Sequence, residues 1–473
     1  MRTASVQRGR LRPQAGSLVF AWAMTLLVAG CATPDTPPPA AVAQANQTAE
    51  APPQGQVCPA ELPPDARCLS GQDSAGAYYW IAMPKAWSGV LVLHAHGGPE
   101  LGAPKPERSA EDLKRWAIMV KAGHAWAGST FRQGGVAVRA AAEDTERLRR
   151  LFVQHVARPQ VTVLHGQSWG ASVAAKAAEM YAAPGATQPA YDAVLLSNGV
   201  LGGGTRSYDF RLDLRVVYQA LCANHPKMDE PQYPLWMGLP PDAKLSRADL
   251  AERAEACLGL RQSAERRTPE QTQRLKTLVD VIRIPESSVL GHLNWATWHF
   301  QDVVQKRTQG LNPWGNVGAQ YRGSMDDRAL NAAVARYAAD PQAVQHFGRD
   351  SDPNGQIGVP VLTVHGVHDP IAFVELETQF RHTMVQAGQG QRLVQVFSDD
   401  KEHSYLSDPV YPALLESLLA WAKAGGEALN KPTPALVAER CNRWEAQFGP
   451  GCRVLPDYRP AELDARVVKR QRP

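Results

Sequence analysis

The chain has almost no surplus of charge. Its 473 residues carry 50 Lys plus Arg against 46 Asp plus Glu, a formal net charge of +4. A nucleic-acid binder needs a clustered basic face, and this balance offers none. Metal-ligand spacing is also missing: there is no Cys-x-x-Cys pair and no Cys/His cluster. No glycine-rich loop follows a strand-like run at phosphate-binding spacing. These absences remove nucleic acid, metal ion and nucleotide cofactor from the expected partners. The apolar run from Leu18 to Ala29 is too short for a membrane-spanning helix, which needs roughly 20 residues. What is present is core-forming material. Hydrophobic residues make up 44% of the chain, so wholesale disorder is excluded.

The small charge excess is local. Residues 1–31 hold Arg2, Arg8, Arg10 and Arg12 and no acid, so the remainder is formally neutral. Basic residues before a short apolar run read as a secretory signal. The run ends in Val28-Ala29-Gly30-Cys31, which resembles the lipobox of bacterial lipoproteins. That resemblance implies a signal over residues 1–30, cleavage before Cys31 and lipidation of its thiol, so that the N-terminal lipid joins the chain to a membrane. Ala32, rather than Asp, follows the cysteine, which by resemblance to sorting rules implies the outer membrane. The body is then expected in the periplasm or at the cell surface. Residues 31–57 are rich in Pro, Ala, Gln and Thr. Such a stretch buries too little apolar surface to order itself and is expected to be a disordered tether.

Six further cysteines remain: Cys58, Cys68, Cys222, Cys257, Cys441 and Cys452. An even number in an exported chain points to disulfides. Sequence leaves the connectivity open. Pairing of neighbours is the simplest expectation: Cys58–Cys68, Cys222–Cys257 and Cys441–Cys452.

Strand-like and helix-like patterns alternate from about residue 76. Runs at 78–82, 90–94, 124–130, 161–164 and 193–196 suit strands. Segments at 110–122, 138–156 and 168–181 have helical periodicity. This order predicts a mostly parallel sheet with helices on both faces. Between about 200 and 355 only helical patterns occur. The alternation resumes with a strand at 359–364, a helix at 374–387, a strand at 393–397 and a helix at 412–424. One α/β domain interrupted by a helical insertion accounts for this.

The candidate chemistry sits where strands end. Gly166-Gln167-Ser168-Trp169-Gly170 lies between a buried strand and an alanine-rich helix. A serine on such a turn is lifted into the open, and flanking glycines relieve the crowding. A serine hydroxyl needs a base, a group that orients the base, and donors for an oxyanion. His403 follows a strand and precedes the last helix of the alternating pattern, and is the candidate base. Asp369, after the strand that ends near Val364, is the candidate orienting acid. His94-Ala95-His96-Gly97-Gly98-Pro99 follows an early strand and offers backbone donors. Gly98 and Trp169 are the candidate oxyanion donors, with Gly97 as an alternative.

The chain order Ser168, Asp369, His403, together with His96-Gly97-Gly98, Gly366-x-x-Asp369 and Glu402-His403, resembles the α/β-hydrolase fold. The resemblance covers about residues 76–200 and 355–425. It implies a serine hydrolase working through an acyl-enzyme, with a large helical cap over the site. The expected organisation is core over 58–200, cap over 201–355, core over 356–426 and a C-terminal tail over 427–473. An ester is the first expected substrate, a small molecule or an oligomer. The His-Gly-Gly-Pro string also resembles prolyl-peptidase-like enzymes, which implies a peptide or amide instead, and Asp326-Asp327 in the cap offers an acid for a peptide amine. A catalytically idle binding lipoprotein on the same scaffold is the third reading. Trp295 and Trp298, in an aromatic stretch with Trp314 and Tyr321 nearby, line an acyl pocket or form helix-packing core. Arg132 binds a substrate carboxylate or makes a structural salt bridge.

Overall fold

The computed structural model describes residues 50–472. The signal, the Cys31 lipidation site and most of the expected tether lie outside the described residues. Among the described residues no helix is long and apolar enough to cross a membrane.

Nine strands form one sheet: β1 Gln54–Gln56, β2 Arg67–Gln72, β3 Tyr78–Met83, β4 Val90–Ala95, β5 Ala125–Ser129, β6 Val161–Gln167, β7 Ala193–Ser197, β8 Val361–Gly366 and β9 Leu393–Ser398. Their spatial order is β1-β2-β3-β5-β4-β6-β7-β8-β9. The pairs from β5 through β9 are parallel, and β1 to β3 add an antiparallel edge. The parallel strands are buried on both faces, so their sequences are continuously apolar rather than alternating. Alternate residues still part to opposite sides. Leu91 and Leu93 join one core layer while Val90 and Val92 join the other.

Helices α1 Glu107–Arg115 and α2 Ala117–Lys121 cover one face, and α3 Val138–His155 and α4 Trp169–Tyr181 the other. The single helix expected over 110–122 is divided at Trp116, which is fully buried against His94 and His165. Between β7 and β8 the chain forms α5 Gly204–Ser207, α6 Phe210–Cys222, α7 Arg247–Leu258, α8 Pro269–Ile282, α9 Val289–Asn294, α10 Phe300–Lys306, α11 Asp327–Ala333 and α12 Pro341–Ser351. A single π-helical turn, Trp295–His299, joins α9 to α10. Capping boxes start α7 at Ser246 and α8 at Thr268. The disulfide Cys222–Cys257 ties the end of α6 to α7.

After β8 come α13 Leu376–Gln386, then β9, then α14 Val410–Lys423, α15 Pro434–Phe448 and α16 Leu463–Arg466. Two expectations are corrected. The tether does not extend unbroken to residue 57: Gln54–Gln56 pairs with β2 through backbone groups, for which side-chain polarity is no obstacle. Glu50 also accepts from the Ser74 N–H at 2.8 Å and hydroxyl at 2.6 Å. The C-terminal segment is likewise more than a stapled tail. Helix α15 buries Val437 and Cys441 against α14, and the disulfide Cys441–Cys452 turns the chain back so that Val454 bridges to Ser398 at the end of β9. Cys58–Cys68 joins the N-terminal segment to β2.

Candidate active site

Ser168 stands between the end of β6 and the start of α4 with φ 57° and ψ −122°. Positive φ is costly for a residue with a Cβ and persists only where its surroundings fix it. Here they do. The Ser168 N–H donates to Ser197 O at 2.9 Å, and its carbonyl accepts from Val200 N–H at 3.0 Å. The neighbouring glycines are required by close approach. A Cβ on Gly170 would lie 2.1 Å from Ala95 O, and one on Gly166 would lie 2.3 Å from Gly170 O.

The Ser168 hydroxyl is 2.7 Å from His403 Nε2. His403 Nδ1 donates to Asp369 Oδ2 at 2.7 Å, which leaves Nε2 as the acceptor for the serine. Asp369 is fully buried, and its other oxygen accepts from the Ile371 and Ala372 N–H groups at 2.8 and 3.0 Å. The capping alternative for Asp369 and the orienting role therefore coexist, one oxygen each. Gly97, Gly98 and Trp169 line the same cavity as Ser168 and His403, a space of about 540 Å³. Trp169 opens α4, so no helical carbonyl accepts its N–H, and among the described residues none accepts those of Gly97 and Gly98.

Three positioning residues were not singled out in the sequence. Asn198, just after β7 with φ 44°, accepts from Gly366 N–H at 2.9 Å and donates to His403 O at 2.6 Å. It ties the acid-bearing strand to the histidine loop. Its only sequence signal is an asparagine at a strand end, where the left-handed region is tolerable. Arg108 donates to Gly97 O at 2.7 Å while paired with Glu100 and Asp112, which fixes the glycine loop. Gln167 packs against Gly97 and donates to His403 O at 3.3 Å.

The remaining candidates separate. Trp295 lines the cavity and stacks on His299, with ring centroids 4.8 Å apart. Trp298 does not line it; it packs on the cap core with Arg247 above its ring. Trp314 and Tyr321 are buried cap core, bonded to Gly204 O and Asp213. Arg132 also lies away from the cavity. Its guanidinium is taken by Glu143 and Asp144, both on α3, so the structural salt bridge replaces the substrate role. Asp326 caps α11 by accepting from Ala329 N–H, and Asp327 accepts from Gly323 and Ser324 N–H in the turn before it.

Histidines crowd the site without sharing its chemistry. Burial lowers His96 and His292 to about 3 and His299 to about 4. His292 Nε2 donates to Pro370 O at 3.0 Å, and His299 Nε2 to Pro99 O at 2.9 Å, so each latches the cap to a loop after a sheet strand. His365 goes the other way. Burial opposes its charge, but the hydrogen bond and charge of Glu377 and the charge of Asp369 outweigh this and raise its pKa. Among the described residues no group of three or more His, Cys, Asp or Glu side chains is arranged to hold a metal ion.

Setting aside the edge strand β1, the sheet order, the serine elbow between β6 and α4, and an insertion between β7 and β8 define an α/β-hydrolase fold. No known family model and no curated protein matches this chain. Among solved structures it is similar to the rice cell wall degrading esterase LipA from Xanthomonas oryzae. Identity there is 12% over 71% of this chain and 83% of that one, with a TM-score of 0.33. Feruloyl esterase B from Aspergillus oryzae gives 13% identity over 80% and 86%, with a TM-score of 0.39. Acylaminoacyl peptidase from Pyrococcus horikoshii gives 11% over 74% and 37%, with a TM-score of 0.33. At these values a neighbour's activity says nothing about this chain.

Proposed function

We propose that the chain is a serine hydrolase that cleaves carboxylic esters through an acyl-enzyme. The observation that carries this is the continuous chain Ser168 Oγ, His403 Nε2, His403 Nδ1, Asp369 Oδ2, with 2.7 Å at each junction and one end in the cavity. His403 takes the Ser168 proton as Oγ bonds to the ester carbonyl carbon. Asp369 holds the imidazole in orientation and stabilises its charge. The tetrahedral oxyanion is met by N–H groups of Trp169 and the Gly97-Gly98 loop. Collapse expels the alcohol, which leaves with the proton from His403. Water repeats the sequence on the acyl-enzyme and frees the acid and the serine.

The cavity favours an ester over a peptide with a free amine. Glu100 is the one acid among its lining residues, and it is paired with Arg108. Asp326 is spent on its own helix and Asp327 on the turn before it. Export and lipidation at Cys31 belong to the same proposal, supported by the signal-like N-terminus and its small-residue cysteine motif.

A fluorophosphonate probe should label the chain covalently, and Ser168→Ala should abolish labelling with an unchanged melting temperature. Undiminished labelling of Ser168→Ala refutes the assignment. Comparing p-nitrophenyl esters with aminoacyl anilides separates the substrate classes, and faster anilide turnover would favour the peptidase.

A further inference from the structure

Arg211 is the second residue of α6 and is 4% exposed. A buried guanidinium ordinarily has a carboxylate or several carbonyls around it. This one has neither. Among the described residues no acid pairs with it, no acceptor meets its side chain, and its buried Nε is unpartnered. It lies against aromatic faces instead, its central carbon 4.5 Å from the Trp295 ring centroid, 4.7 Å from Phe210 and 5.2 Å from Tyr208. Cation–π contact recovers only part of what the charge loses on leaving water.

The nearest acids in sequence are committed elsewhere. Asp209 and Asp213 are four residues apart and share one side of the helix start, while residue 211 projects away from them. Both are claimed by the C-terminal segment: Arg470 bonds Asp213 at 2.5 Å, and Arg472 bonds Asp209 at 2.7 Å. The Asp352 carboxylate is held by the N–H and hydroxyl of Thr205. The fold therefore aims two acids at the tail and leaves the cation between them unmatched.

That cation lines the cavity that holds Ser168 and His403. Lys105, Arg108, Arg115 and Arg247 line it too, and among the described residues Glu100 is the one acid that does. The first turn of a helix adds further positive potential, which disfavours a cation and favours an anion. Phe210, beneath Arg211, also packs edge-on against His292, which donates to Pro370 O beside Asp369, so Arg211 and the Asp369 loop are neighbours.

Resting on the serine-hydrolase reading, we infer that Arg211 is a substrate-binding residue that takes a carboxylate. The substrate class is an ester that carries a second, free carboxylate, as in half-esters of dicarboxylic acids and acylated hydroxy acids. Trp295 and Tyr208 would wall the linker between the scissile carbonyl and that carboxylate.

The test uses the full chain and two matched pairs of an anionic and a neutral ester. Mono-4-nitrophenyl glutarate is compared with 4-nitrophenyl pentanoate, and 4-acetoxybenzoate with 4-acetoxybenzamide. In at least one pair the anionic ester should have the higher kcat/KM. In Arg211→Gln that anionic-to-neutral ratio should fall at least about ten-fold, mainly through KM, with partial recovery in Arg211→Lys. An unchanged ratio in both pairs overturns the inference. A binding measurement covers poor folding of Arg211→Gln and needs no turnover. Ser168→Ala is titrated with monomethyl glutarate and with dimethyl glutarate. Tighter binding of the monoanion by about ten-fold or more supports the site, and equal binding refutes it. Lost fluorophosphonate labelling with retained monoanion preference would fault the hydrolase reading alone. Normal labelling without that preference would fault this inference alone.

Discussion

The sheet core and the cap furnish opposite walls of one cavity by different physical means. In the core, Ser168, Asp369 and His403 each follow the C-terminal end of a parallel strand, β6, β8 and β9. Their separations are set by strand spacing and by backbone bonds such as Gly366 N–H to Asn198. In the cap, Trp295, His299 and Arg211 come from a π-turn and a helix start, and their places depend on how helices pack. On the proposed function, reaction chemistry is thus held by topology, and substrate choice by packing. A cap can change its lining without disturbing the strand ends beneath it.

The sharpest break of this comparison lies in the core. Asp369→Asn keeps the volume and an oxygen for the Ile371 and Ala372 N–H groups. It places an amide where His403 needs an acceptor and so favours the wrong imidazole tautomer. On the proposed mechanism kcat should fall by about 10⁴-fold, with KM little changed. Steady-state kinetics on a neutral ester read this directly. A loss under ten-fold would mean that another group orients His403.

The same division explains what could be read from the sequence. The elbow, the glycine loop and the placing of Ser168, Asp369 and His403 at strand ends were legible because close backbone approach and strand-end position restrict residue type locally. A Cβ on Gly170 has nowhere to go, so the motif reports the geometry. The sequence left Arg132 open between ligand and salt bridge because its partners, Glu143 and Asp144, become neighbours only when α3 folds back beside β5. Arg211 carries no local signal, since Asp209 and Asp213 stand two residues to either side of it. Only the folded chain brings Arg470 across 257 residues to claim Asp213. Strand β1, Gln-Gly-Gln, has no apolar signal and is held by ladder bonds alone.

A smaller effect should separate the two regions in stability. Cys222–Cys257 closes a sequence separation of 35 within the cap, against 10 and 11 for the other two disulfides. Replacing both cysteines by serine should lower the unfolding free energy by roughly 3–4 kcal/mol on the chain-entropy account. The loss should be regional. Hydrogen exchange should quicken in α6 and α7 while β4, β6 and β8 keep their protection. Equal loss of protection in those strands would show that cap and sheet unfold as one unit.

Per pH unit, the smallest predicted effect belongs to the latches between the regions, and its sign follows from burial. His292 and His299 donate across the boundary to Pro370 O and Pro99 O, and burial lowers them to about 3 and about 4. In the unfolded chain both titrate near 6.5. Below that pH the unfolded state binds more protons than the native state, so stability is full above about 6.5 and falls with acidification. The window runs down to about 4 for His299 and about 3 for His292. Each contributes at most about 1.4 kcal/mol per pH unit within its window. His365 has the opposite sign: its raised pKa gives stability that is present below 6.5 and lost as pH rises through the folded value. His292→Gln with His299→Gln retains an N–H donor at each latch but removes the titration. Urea unfolding from pH 7.5 to 5 should therefore show a shallower acid loss in the double variant than in the parent. Parallel pH profiles would place the acid sensitivity in the core histidines His94, His96 and His165, which burial also depresses, and would remove the cap boundary as the acid-sensitive seam.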